Sequence, residues 1–164
     1  MKLPIVRWPD PRLVTPCHQW LFDSSTEPNI ERDLVDTMLA ENAAGLAANQ
    51  VGIPYRVMAM NVQAGEFAGQ QVVMYNPALG SVATDLDEHN EGCLSFPGVW
   101  LAIPRPNSVD ASWQDQAGML HSSTFTGIDA RCFLHEMEHL AGHVFKEHVS
   151  DLKFTRALAK SRKK

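Results

Sequence analysis

Apolar positions along the chain change period several times, and each change marks an element. From Glu27 to Ala44 the residues Ile30, Leu34, Val35, Met38 and Leu39 recur at helical spacing, with Ser24, Ser25 and Thr26 available as caps and Gly45 as a stop. This predicts an amphipathic helix. Arg56 to Val62, Gln71 to Tyr75, Val109 to Gln114 and Met119 to Thr124 are short and rich in β-formers, with turn material at Asn76-Pro77 and Gln116 to Gly118. Ile128 to Gly142 predicts a second helix, and Ser150 onward a third. A helix, then strands, then helices is an α+β order with antiparallel sheets rather than a run of βαβ units.

The chain has 164 residues, 45% hydrophobic and 20% charged, with no internal repeat, so a single domain over residues 1–164 is expected. No apolar run approaches the roughly 20 residues that span a bilayer, and MKLPIVRWPDPRL lacks the greasy core of a secretory signal, so no membrane role and a cytoplasmic location are expected. Cys17, Cys93 and Cys132 are odd in number and far apart, which favours reduced thiols over disulfides. The net charge of -5 is uneven: residues 151–164 hold six Lys/Arg against one acid, leaving -10 on residues 1–150. An acidic body argues against sequence-specific nucleic-acid binding. In a helical tail Lys153, Arg156, Lys160, Lys163 and Lys164 form a stripe, either a solvated helix end or a polyanion contact.

The chemistry concentrates in LHEMEHLAG, Leu134 to Gly142. On a helix His135 and His139 lie on one face and reach one divalent ion, with Glu136 beside them as a base for an activated water. A third ligand is needed. The extension HExxHxxGxxH fails, because Phe145 stands at the last histidine position and the actual histidines are His143 and His148. Among acids downstream only Glu147 and Asp151 remain. Cys132 shares the helix face, but the span from Cys132 to His139 rises about 10 Å, too far for one ion, so Cys132 is read as pocket lining. Cys93, in the Gly- and Pro-bounded EGCLSFPG, is left as the thiolate, although a lone cysteine is otherwise a small buried hydrophobe. AAGLAANQVG, Ala43 to Gly52, is dominated by small residues that pack tightly or leave backbone open to an extended ligand, with Gln50 as an amide donor.

AAGLAANQ, EGCLS and HEMEH occur in the order of the three motifs of the peptide deformylases, and the chain resembles that family over nearly its whole length; WPDPRL, YNP (Tyr75 to Pro77) and IPR (Ile103 to Arg105) look like family positions too. The resemblance implies antiparallel sheets packed around a central metal-binding helix. It also implies one divalent metal on Cys93, His135 and His139, Fe(II) in the cell with zinc, nickel or cobalt acceptable to the same ligands. Glu136 would be the catalytic base, and the Gln50 amide and Leu94 N–H the donors to the formyl oxygen of an N-formylmethionyl peptide. Ala44 and Gly45 would carry the extended peptide, Ala43, Ile128 and Cys132 would line the methionine pocket, and Glu91 and Arg105 would form an ion pair. A monomer with a transient ribosome contact through the basic tail is implied as well. Four positions depart from the family pattern: Ala43 for glycine, Trp100 where many members have arginine (affecting contacts beyond methionine), Leu134 for glutamine and Glu138 for aspartate. The competing readings are a zinc endopeptidase, on HEMEH alone, and a metal- or peptide-binding module without turnover.

Overall fold

The structure, a computed structural model, describes residues 1–22 and 28–163. Among the described residues three α-helices, α1 (Ile30–Ala40), α2 (Gly127–Leu140) and α3 (Asp151–Ser161), accompany seven strands. Strands β1 (Gly45–Ala47), β2 (Val57–Asn61), β3 (Gln71–Val82), β6 (Ser108–Gln114) and β7 (Leu120–Thr126) form one antiparallel sheet in the order β1-β2-β3-β6-β7. Strands β4 (Leu86–Cys93) and β5 (Phe96–Pro106) pair as a separate hairpin. The expected α+β class with antiparallel sheets is what forms.

Both faces of the large sheet are covered, and strand alternation sorts its residues. On β2 Met58 and Met60 point into a cluster with Phe133, Leu140, Trp113 and Phe125 under α2, while Val57 and Ala59 enter a cluster with Leu34, Met38 and Trp20 under α1. A third cluster fills the space between the hairpin, α3 and the N-terminal segment, with Phe96, Leu101, Ile103, Val6 and Phe145 buried and Phe154, Ala157 and Leu158 packed against them. Helix α2 contacts both the large sheet and β5, which makes it the central element.

Several boundaries move from the sequence expectation. Helix α1 ends at Ala40, not Ala44: Asn42 adopts φ +52°, and Gly45 opens β1 rather than merely stopping a helix. The proposed caps Ser24, Ser25 and Thr26, and Glu27, lie outside the described residues. Asn76-Pro77 is not a turn. It is an irregularity within β3, where the register to β6 shifts between Tyr75 and Ala78 and the Asn76 side chain bonds the Trp20 backbone at 2.8 and 3.0 Å. The Gln116 to Gly118 turn joins β6 to β7, held by Asp115 Oδ1 accepting from Ala117 and Met119 N–H at 2.9 Å. Strands β1, β4 and β5 were not expected. Helix α3 starts on Ser150, whose hydroxyl accepts from Lys153 N–H at 3.2 Å. Lys153, Arg156 and Lys160 are exposed on it, Lys163 is exposed in the turn that follows, and Lys164 lies outside the described residues.

Candidate metal centre and its cavity

The three candidate ligands come from two elements that different clusters hold in place. His135 and His139 are on the buried face of α2, and Cys93 ends β4 at the hairpin's tip. Their ligand atoms all lie within 4.8 Å of one another, with Cys93 Sγ 3.3 Å from His139 Nε2. Bonds of about 2.0–2.3 Å to a single tetrahedral ion require spacing of this order. A thiolate with two imidazoles and one open side suits a first-row divalent metal, so the donor set fits such an ion.

The groups behind the ligands fix their orientation. His135 Nδ1 donates to Glu91 Oε2 at 3.0 Å, leaving its other nitrogen for the centre. Glu91 is saturated: it also accepts from Arg105 Nε, from Arg105 Nη2 at 2.9 Å and from Arg131 Nη1 at 2.6 Å. Burial pushes the Glu91 carboxyl up, but the hydrogen bonds from His135 and Arg105 outweigh it and bring it down to about 2. Glu138 accepts from Arg105 Nη1 at 2.8 Å and from His148 Nε2 at 2.7 Å, so its extra methylene relative to aspartate still closes the network. The Glu91–Arg105 pair is buried, at 5% and 3% side-chain exposure, rather than a surface pair. The main chain of His139 is tied separately, its carbonyl accepting from Asn49 Nδ2 at 2.7 Å. His139 is kept neutral by burial and by the positive charges of His135 and Arg105, the form a metal ligand must take.

Glu136 is 4% exposed, and its Oε2 has no partner among the described residues. Burial pushes its carboxyl up to about 7, against the opposing pull of His135. A cation at the centre would lower it again and favour the carboxylate. Gln50 is oriented by its neighbours: Oε1 accepts from Ala47 N–H at 3.0 Å, so Nε2 faces Ser95 Oγ at 3.2 Å and Cys93 Sγ at 3.5 Å. The N-terminal segment straps both sides, Val6 N–H donating to Gln50 O at 2.7 Å and Trp8 N–H to Ser95 O at 2.9 Å.

A cavity of about 660 Å³ opens over these groups. Ala43, Ala44, Gly45, Gln50, Cys93, Leu94, Trp100, Ile128, Cys132, His135 and Glu136 line it, whereas His139 is buried behind, at 1% exposure. Among the described residues strand β1 is an edge strand, with β2 on one side only, and Ala44 and Gly45 border the cavity. Gly45 is there because nothing larger fits, since a Cβ would stand 2.6 Å from Cys132 Sγ and 2.9 Å from Glu136 Oε1. Gly92 likewise lies under the Trp100 ring, which is 62% exposed at the rim.

Sequence reading missed Arg131, Ser95 and Asn49. Arg131 was discoverable, because a charge four residues before His135 on the same helix face interrupts the apolar surface. Leu134 points elsewhere: it packs beside Met137 against the cluster under α2, where a glutamine would bury an amide.

Fold and ligands together define a small α+β protein with a Cys/His/His metal cluster and a buried carboxylate in an open cavity, the class of mononuclear metallohydrolases. The sequence matches the family of polypeptide deformylases over residues 2–155, and the chain belongs to that family. Among curated relatives, the peptide deformylase of Zymomonas mobilis is 37% identical over 156 residues, 92% of this chain and 88% of that protein. That of Synechococcus sp. RCC307 is 38% identical over 74% of this chain, and the match spans 61% of that relative's length. The crystal structure of peptide deformylase from Ehrlichia chaffeensis superposes with a TM-score of 0.90 at 31% identity, covering 99% of this chain and 96% of the other. A second structure of the Ehrlichia enzyme, in complex with actinonin, also gives 0.90, at 32% identity and the same coverage. No described helix is long and apolar enough to cross a membrane.

Proposed function

We propose that this protein hydrolyses the N-formyl group of N-formylmethionyl nascent peptides, releasing formate and a free N-terminus, as one catalytic domain over residues 1–164 in the cytoplasm. The observation that carries the reading is the convergence of three ligand atoms within 4.8 Å beside a buried carboxylate and an oriented amide. Cys93, His135 and His139 hold the divalent ion, which when bound supplies the Lewis acidity that brings a water's pKa near 7. Glu136 accepts the proton of the attacking water and returns it to the departing amine nitrogen. Gln50 Nε2 and the Leu94 N–H donate to the formyl oxygen as charge builds on it. The peptide adds as an extended strand along the free edge at Ala44 and Gly45. Its methionine enters among Ala43, Ile128 and Cys132, and Trp100 meets the residues that follow.

Formate release from formyl-Met-Ala-Ser, with none from acetyl-Met-Ala-Ser, tests the reading. Glu136→Gln should lose about 100- to 10,000-fold while keeping its metal; equal activity in the variant overturns the role of Glu136. A zinc endopeptidase would instead cut blocked internal peptides, and a third ligand from Cys93 gives that alternative no support. Actinonin, bound in the Ehrlichia relative, is a second probe. For the metal we favour Fe(II), with zinc, nickel and cobalt within reach of the same donors.

The protein acts as a monomer that touches ribosomal RNA transiently through Lys153, Arg156, Lys160 and Lys163. Charge reversal of Arg156 and Lys160 is the suitable test, because Phe154, Ala157 and Leu158 pack into the cluster beside Phe96 and Cys93 and deleting α3 would strip that packing. Reversal should weaken ribosome binding and spare short peptides; unchanged binding refutes the contact.

A further inference from the structure

The 660 Å³ cavity has a neighbour of about 450 Å³, and the two share Asn90, Ile128 and Arg131 as walls. Arg131 comes one residue before Cys132 and about one turn after Ile128, on the α2 face turned to the cavity, and is 5% exposed. Its Nη1 donates to Glu91 Oε1 at 2.6 Å and to Ile103 O at 2.8 Å, and its Nη2 donates to Asp87 O. A guanidinium carries five N–H groups. Here the Nε–H and one Nη2–H have no acceptor among the described residues. Unlike Glu136 Oε2 or His139 Nδ1, the Nε is not a sealed unpartnered atom, so it opens on the cavities Arg131 lines and takes its acceptor from water or from a ligand there. A purely hydrocarbon ligand would make matters worse by displacing the water that otherwise serves them.

We propose that Arg131 is a specificity-determining residue, giving the pocket for the substrate's first side chain a hydrogen-bond donor and so favouring side chains that end in an acceptor. The inference rests on the deformylase reading. It ranks three first residues of nearly equal length: methionine sulfoxide, with a strong oxygen acceptor, above methionine, a weak sulfur acceptor, above norleucine, which has none. A site holding a buried donor rejects the analogue that leaves it unpaired.

The test compares kcat/KM for formate release from formyl-Met(O)-Ala-Ser, formyl-Met-Ala-Ser and formyl-norleucyl-Ala-Ser by the metal-loaded enzyme, its Arg131→Met variant and its Arg131→Lys variant. The sulfoxide-to-norleucine ratio should fall about tenfold or more in Arg131→Met, since a hydrogen bond to a charged donor is involved, and should stay nearer wild type in Arg131→Lys. Each ratio is taken within one protein, so any loss from loosening Glu91, or from a smaller folded fraction, cancels. A ratio within twofold of wild type in Arg131→Met overturns the inference. Should that variant fail to fold, the wild-type ratio decides, and norleucine equal to or better than the sulfoxide overturns it. No formate from any of the three substrates with wild type refutes the deformylase reading itself. Formate from formyl-Met with an unchanged ratio refutes only the role of Arg131.

Discussion

Replacing Gly45 by alanine tests how tightly the edge strand is fitted to the catalytic helix. The added methyl would lie 2.6 Å from Cys132 Sγ, 2.9 Å from Glu136 Oε1 and 3.0 Å from Glu136 Cγ. Ordinary carbon–sulfur contact needs about 1 Å more, and both neighbours are buried on α2, at 8% and 4% exposure. Overpacking of this kind costs about 1–3 kcal/mol, which for a chain of this size lowers Tm by roughly 3–10 °C. The loss in rate should be larger in proportion, because a displacement of about 1 Å at a reacting group costs on the order of 100-fold. Differential scanning calorimetry and formate release read the two effects. The double variant Gly45→Ala/Cys132→Ala separates them: removing the sulfur relieves the shortest contact, so Tm should recover in part. Activity should stay low, because the contacts to Glu136 remain. Wild-type Tm and rate in Gly45→Ala would show that β1 and α2 are not packed as described.

Three further outcomes follow from the site. Gln50→Ala should lower kcat by about 100- to 1,000-fold with little change in KM, as expected for a donor used in the transition state; a pure KM effect would make Gln50 a ground-state contact. Chelation should abolish activity and lower Tm, since an ion that binds only the folded chain stabilises it by mass action; iron, nickel, zinc and cobalt added back singly then rank the metals, with oxygen sensitivity only for iron. Glu91, at about 2 in the folded protein against an ordinary 4.5, contributes stability that is complete above about pH 4.5 and is lost as pH falls toward 2. Acid titration of unfolding should therefore show a shallower loss over that range in Glu91→Gln, whose stability near neutrality is already reduced; an identical acid limb would refute the linkage.

Much of this arrangement was legible in the residues. Period 3.6 located α1, the stretches from Ile128 to Gly142 and from Ser150 onward were read as the other two helices, and the ligand set followed from an HExxH helix whose usual downstream partner is replaced by Phe145. That residue is 1% exposed, and its ring centroid lies 5.7 Å from that of His135. The hairpin was not legible, because its β4 strand, LDEHNEGC, is mostly exposed and polar and shows little apolar alternation. Its pairing to β5 depends on contacts that sequence period does not encode. Strand β1 was hidden for the opposite reason: its three residues, GLA, are too few to show a period and pack against both α1 and α2. The fourfold use of Glu91 was invisible as well, since Arg131 is 40 residues away in sequence.

The centre lies where three separately packed regions meet, and this determines what a bound ion does for the fold. Gln50 belongs to the turn after β1, flanked by Leu46 and Ala48 of the cluster under α1. The histidines ride on α2, anchored by Phe133 and Leu140 in the cluster on the opposite face of the sheet. Cys93 packs with Phe96 and Phe145 in the hairpin cluster. An ion held by Cys93 and His139 closes a loop of 46 residues and ties the hairpin to α2, a junction that Glu91, Arg105 and Arg131 also bridge. Because that ionic bridge is buried, removing one member leaves an uncompensated charge. Metal and ion network therefore support the same junction, and loss of either should weaken the hold of the other: Glu91→Gln should bind metal less tightly even though Glu91 touches no ion, through the freedom it gives the His135 ring.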